Sequence, residues 1–74
     1  MTTADPLVIN GVVFHDDGLG GLKAYRRNSL VGLVFPKVPA EPDGSWFARP
    51  RGVDARLFGT RDEAMHWLAQ EAMS

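Results

Sequence analysis

One stretch of this chain has the spacing and start signal of a helix, and it comes last. Thr60-Arg61-Asp62-Glu63 is a capping box. The Thr60 hydroxyl is placed to accept the amide of Glu63, and the Glu63 carboxylate to return to the amide of Thr60. Asp62 and Glu63 also put negative charge at the positive end of the helix dipole. Ala64, Met65, Leu68 and Ala72 then follow helical spacing, with Trp67 and Ala69 on the flanks of that stripe. A helix over residues 60–72, of about 12 residues and about 18 Å, covers one face of a small sheet and no more. The rest of the chain must therefore fold around a single helix.

The preceding residues are short β-type runs cut by turn residues. Leu7-Val8-Ile9 and Val12-Val13-Phe14 flank Asn10-Gly11, the composition of a type I′ hairpin, in which both turn residues accept φ > 0. A bulge inside one longer strand is the competing reading. Residues 22–26 and 30–35 read as two strands joined at Arg27-Asn28-Ser29, and Pro36 ends the second. Pro39, Pro42 and Asp43-Gly44 make an irregular connection. Residues 45–49 form a short strand stopped by Pro50, and Arg56-Leu57-Phe58 adds a brief one. The fold class is α+β, a small antiparallel sheet of three to five strands packed against one C-terminal α-helix. Residues 1–74 are expected to form a single domain, with residues 1–6 as a disordered tail.

The strand at residues 30–35 raises a covering problem. Alternate side chains of a strand point to opposite faces, yet Leu30-Val31-Gly32-Leu33-Val34-Phe35 is apolar on both. Either Leu30 and Val34, or Val31, Leu33 and Phe35, need cover other than the helix. The N-terminal hairpin is one source of that cover and a second copy of the chain is another. Leu30, Val31, Leu33 and Phe35 are accordingly the expected protein interface, and a homo-oligomer is the expected state.

Composition narrows the function classes. A 74-residue chain buries only about 60% of the surface its unfolded form exposes. It has no cysteine, so neither disulfides nor a thiolate zinc site adds stability. The start of the chain lacks the basic and apolar segments of a signal peptide, and no apolar run approaches the roughly 20 residues that span a bilayer. The expected location is the cytoplasm, away from membranes. Eight Lys+Arg against nine Asp+Glu give a net charge of −1, without the basic excess usual in nucleic-acid binders.

The candidate chemistry is thin. His15-Asp16-Asp17 sets an imidazole beside two carboxylates, but adjacent residues in a glycine-rich loop seldom converge on one ion, so the reading is a solvated turn. Gly18-Leu19-Gly20-Gly21 lacks the Lys-Ser/Thr that completes a phosphate loop. Ser29 and Ser45 have no nucleophile-elbow context. No catalytic residue, metal or cofactor is assigned, and the expectation is a protein that is not an enzyme. Trp46, Phe47, Phe58 and Trp67 are either core or an aromatic binding surface, with core the expected reading. Arg49, Arg51 and Arg56 have guanidinium forks suited to phosphate, or form an ordinary solvated strand face.

The pattern Gly44-Ser45-Trp46-Phe47-Ala48-Arg49-Pro50-Arg51, then Arg56-Leu57-Phe58-Gly59-Thr60-Arg61-Asp62-Glu63-Ala64, then Trp67-Leu68, resembles the amino-terminal arm-type DNA-binding domain of phage tyrosine integrases. The resemblance covers roughly the C-terminal 30 residues. It implies a three-stranded antiparallel sheet followed by a helix, with Arg49, Arg51 and Arg56 as DNA-facing positions. Similar short cores recur in small proteins of actinobacteria and their phages. These 74 residues are not expected to include a recombinase domain, and they depart from the family in not being basic, where phosphate contacts supply most non-specific affinity. The leading expectation is therefore a non-enzymatic protein-interaction module, a phage or actinobacterial accessory protein docking an apolar sheet face onto a host partner or itself. The alternative is a small DNA-binding regulator using Arg49, Arg51 and Arg56.

Overall fold

A computed structural model describes residues 7–72; the tail expected at residues 1–6 lies outside them. Strands β1 (Leu7–Ile9), β2 (Val12–Asp16), β3 (Leu22–Arg26), β4 (Ser29–Pro36), β5 (Trp46–Pro50) and β6 (Arg56–Phe58) precede helix α1 (Arg61–Ala72). All six strands form one antiparallel sheet in chain order. The α+β class stands, with one strand more than the three to five expected. Both short end strands pair: β1 extends the sheet beyond β2, and β6 extends it beyond β5.

Two turns set the registers on the β1 side. Asn10 and Gly11 have φ of 51° and 81°, and Arg27 and Asn28 have φ of 51° and 66°. Two consecutive left-handed residues give the backbone twist that matches paired strands. The Asn10-Gly11 hairpin thus adds to the edge of the sheet, in plane, and does not fold over its second face.

Between β3 and β4 the register shifts. Ala24 pairs with Gly32, but Tyr25 pairs with Leu30, which leaves Val31 as an extra residue on β4. Such a bulge switches the faces of the residues on either side of it. Val31 packs with the core cluster, whereas Leu30 is exposed.

The core lies between α1 and one face of the sheet. The sheet contributes Val12, Phe14, Ala24, Val34, Trp46 and Ala48, and the helix contributes Ala64, Met65, Leu68 and Ala69. Small residues at the centre let the helix approach closely. A Cβ at Gly32 would stand 2.7 Å from Leu68 Cδ1 and 2.7 Å from the Arg49 carbonyl oxygen. Pro50 closes β5 as its last residue, opposite Gly32.

Both helix ends are held. The Glu63 amide donates to Thr60 Oγ1 at 3.2 Å. The Glu63 carboxylate accepts from the Thr60 hydroxyl at 3.2 Å, where the amide of Thr60 was the expected donor. At the other end Arg26 Nη1 donates to the Ala72 carbonyl at 2.9 Å, satisfying one of the carbonyls a helix leaves open. Among the described residues no helix is long and apolar enough to cross a membrane.

Candidate binding surface

The sheet has two faces and the helix covers one. The strand registers build the other face as three rows running across the strands. The first joins Val8, Val13, Tyr25 and Leu30; the second joins His15, Lys23, Leu33 and Arg49; the third joins Phe35, Phe47 and Leu57. Their neighbours along each strand, Phe14, Ala24, Val34 and Ala48, point to the core. Alternation fixes the rows on the opposite side.

This second face is apolar at both margins and cationic in the middle. Val8 is 60% exposed, Leu57 45% and Leu30 38%. Val13, Tyr25, Leu33, Phe35 and Phe47 are half-buried, and His15, Lys23 and Arg49 are exposed. Phe35 and Phe47 sit side by side on adjacent strands, ring centres 5.4 Å apart and planes 32° apart. His15 meets Tyr25 edge to face at 5.7 Å. At the hairpin end, Val13, His15, Asp16, Lys23, Tyr25, Arg27 and Asn28 line a cleft of about 670 Å³.

No carboxylate belongs to the three rows. Asp16 and Asp17 serve the glycine loop: Asp16 Oδ1 accepts the Gly18 amide at 2.7 Å, and Asp17 Oδ1 accepts those of Leu19 and Gly21 at 2.7 and 3.0 Å. Asp62, Glu63 and Glu71 are on α1, and Glu41, Asp43 and Asp54 are in loops. The carboxylates are therefore kept out of the rows, while the cations are divided between this face and the rest of the molecule.

The structure redistributes the residues expected to form the site. Leu30, Leu33 and Phe35 share the open face. Val31 does not join them, because the bulge turns it toward the helix. The three arginines separate. Arg49 lies in the middle row of the open face. Arg51 follows β5, its amide donating to the Val31 carbonyl at 2.9 Å. Arg56 pairs with Ala48, a core residue, and so sits on the helix side. Its guanidinium lies over the rings of Phe58 and Trp67, at 5.6 and 5.5 Å. These three residues do not share one face of the sheet.

The four aromatics also divide. Trp46 is buried, with Nε1 donating to the Pro42 carbonyl at 2.8 Å. Phe58 and Trp67 pack together at 5.3 Å beside the core. Phe47 is the one of the four on the open face. Lys23 and Tyr25 belong to that face without having been singled out from sequence. Their signal is the alternation Leu22-Lys23-Ala24-Tyr25, which puts both on one side once Ala24 is assigned to the core. Among the described residues no group of three or more His, Asp or Glu side chains is arranged to hold a metal ion. Comparison with protein-family models, with curated proteins and with solved structures gave no match.

Proposed function

We propose that this chain is a binding module, not an enzyme, whose working surface is the open face of its sheet. One observation carries the reading: a row containing Lys23 and Arg49 lies between two apolar rows, with no carboxylate among them. Contiguous apolar surface on a small domain marks an interaction site more often than chance exposure does. The partner has to bring apolar groups and negative charge.

That requirement bears on self-association. Two copies stacked face to face about a two-fold axis would bring Lys23 and Arg49 toward the same residues of the second copy, and like charges across an interface are unfavourable. A partner of opposite charge fits this face better than a second copy does. A nucleic-acid reading is favoured by one specific feature, the interleaving of Phe35, Phe47 and Tyr25 with Lys23 and Arg49. It draws on Arg49 but not on Arg51 or Arg56.

Immobilised chain tests the surface. Wild type, Leu33→Asp and the helix-side control Arg61→Glu serve as baits in bacterial lysate, with and without nuclease, after urea melts confirm that all three fold. Material held by wild type and Arg61→Glu but lost from Leu33→Asp supports the open face. Equal retention by all three baits defeats it.

A further inference from the structure

Resting on the open-face reading, we propose that the occupant of this face is single-stranded nucleic acid, its bases stacking on Phe35, Phe47 and Tyr25 and its phosphates meeting Lys23, Arg49 and Arg27. Charge complementarity supplies the first half of the argument. Lys23 and Arg49 project from the middle of the sheet, and Arg27 lines the hairpin cleft beside Lys23, where the one carboxylate, Asp16, accepts the Gly18 amide. No carboxylate interrupts the rows, whereas α1 on the opposite side carries Asp62, Glu63 and Glu71. The rows of this face thus carry cations and no carboxylate in a molecule whose net charge is −1, although Arg26, Lys37, Arg51, Arg56 and Arg61 lie outside them.

The aromatic rings decide between single strand and duplex. A duplex hides its base faces, so a protein that binds it without reading sequence depends on the number of phosphates it neutralises. Three cations are few for that purpose. Unpaired bases offer their faces, and stacking on aromatic side chains adds affinity that charge alone does not supply. Phe35 and Phe47 lie on neighbouring strands with ring centres 5.4 Å apart. Tyr25 lies on β3, in the row on the other side of the cations. A strand lying along the cationic row has rings on both flanks. A polypeptide carrying Asp and Glu would satisfy the cations, but it has no base faces to use three aromatic rings.

Fluorescence anisotropy with labelled dT20 tests the proposal, beside a 20-base-pair duplex and a labelled 20-residue polyglutamate. The expected dissociation constant for dT20 at 50 mM salt is on the order of 10 µM, in the middle of the range of non-specific affinities. Two to three phosphate contacts predict a loss of about tenfold between 50 and 200 mM salt, from the single-strand slope of roughly −0.7 per contact. Lys23→Ala with Arg49→Ala is expected to weaken binding about tenfold, since both side chains are exposed and their removal spares the core. Phe47→Leu keeps apolar cover but removes the ring, and is expected to weaken binding about fivefold or more. The duplex is expected to bind more weakly than dT20.

Absence of dT20 binding at about 200 µM protein overturns the proposal, since non-specific affinities reach about 100 µM even at physiological salt. So does dT20 binding that Phe47→Leu leaves unchanged. Polyglutamate binding tighter than dT20, and sensitive to Lys23→Ala with Arg49→Ala, overturns the nucleic acid but leaves the open face standing. Binding of dT20 that those two substitutions spare and Arg61→Ala weakens would remove both readings.

Discussion

Gly32 is where strand, neighbouring strand and helix meet most closely, and Gly32→Ala measures how tightly they do. The added Cβ would stand 2.7 Å from the Arg49 carbonyl oxygen, 2.7 Å from Leu68 Cδ1 and 3.1 Å from Leu68 Cδ2. Leu68 is fully buried and flexible only within its own rotamers, whereas the Arg49 carbonyl belongs to the β4–β5 ladder. Inserting a methyl into such a site costs about 1–3 kcal/mol in strain. Restricting the unfolded chain by replacing glycine returns about 0.4–1 kcal/mol. Because one of the two contacts at 2.7 Å is with backbone, the strain falls in the upper part of that range, and the expected net loss is about 1–2 kcal/mol, read as a lower urea midpoint at unchanged m value. A domain of this size has a total of roughly 4–11 kcal/mol, so the shift is large enough to measure.

Leu68→Ala resolves which neighbour resists. Alone it is expected to cost about 2–5 kcal/mol by leaving a cavity under the sheet. In the double variant the two changes are in contact and couple by about 0.5 kcal/mol or more. Their combined cost falls below the sum, because the new methyl occupies space the leucine vacated. The backbone contact with Arg49 persists, so Gly32→Ala stays unfavourable even without the leucine. If Gly32→Ala is neutral or stabilising, the close approach of α1 to β4 is wrong. If Leu68→Ala costs less than about 1 kcal/mol, the buried face of the helix is misassigned.

Thr60→Ala removes the acceptor for the Glu63 amide and is expected to cost about 1 kcal/mol by thermal or urea unfolding; no change would mean the box adds nothing to the fold. Arg27 adopts φ of 51° at the first position of its turn, which costs an ordinary residue about 1–2 kcal/mol. Arg27→Asn is therefore expected to raise the unfolding midpoint, and a lower midpoint would show that the arginine side chain outweighs its backbone strain.

How much of this was legible in the sequence differed by element. The helix was, because cap, charge and apolar spacing agree within thirteen residues. Asn10-Gly11 pointed to a hairpin, with a bulge in one longer strand as the competing reading, since few residue pairs accept two positive φ values. That signal is local and does not say whether the hairpin lies in plane or over a face. The bulge beside Tyr25 left no mark either. Leu30 and Val31 are both apolar, so the pattern reads equally well in either register, and a one-residue shift exchanges the faces. Hence Val31 was grouped with Leu33 and Phe35. Arg49 and Arg56 are close in sequence but lie on opposite faces, because Ala48, and not Arg49, pairs with Arg56. Pairing partners decide a face, and a single sequence carries them only weakly.

The second face of the sheet is open to solvent in the isolated chain. Paramagnetic relaxation of side-chain NMR signals by an inert soluble nitroxide tests it most directly, at dilute protein concentration. Strong enhancement is expected at Lys23, Leu33, Phe35, Phe47 and Arg49, with Phe14, Val34 and Leu68 shielded. Shielding of Leu33, Phe35 and Phe47 to the level of Leu68 would contradict it, because that face would then be covered and no surface would remain for a partner.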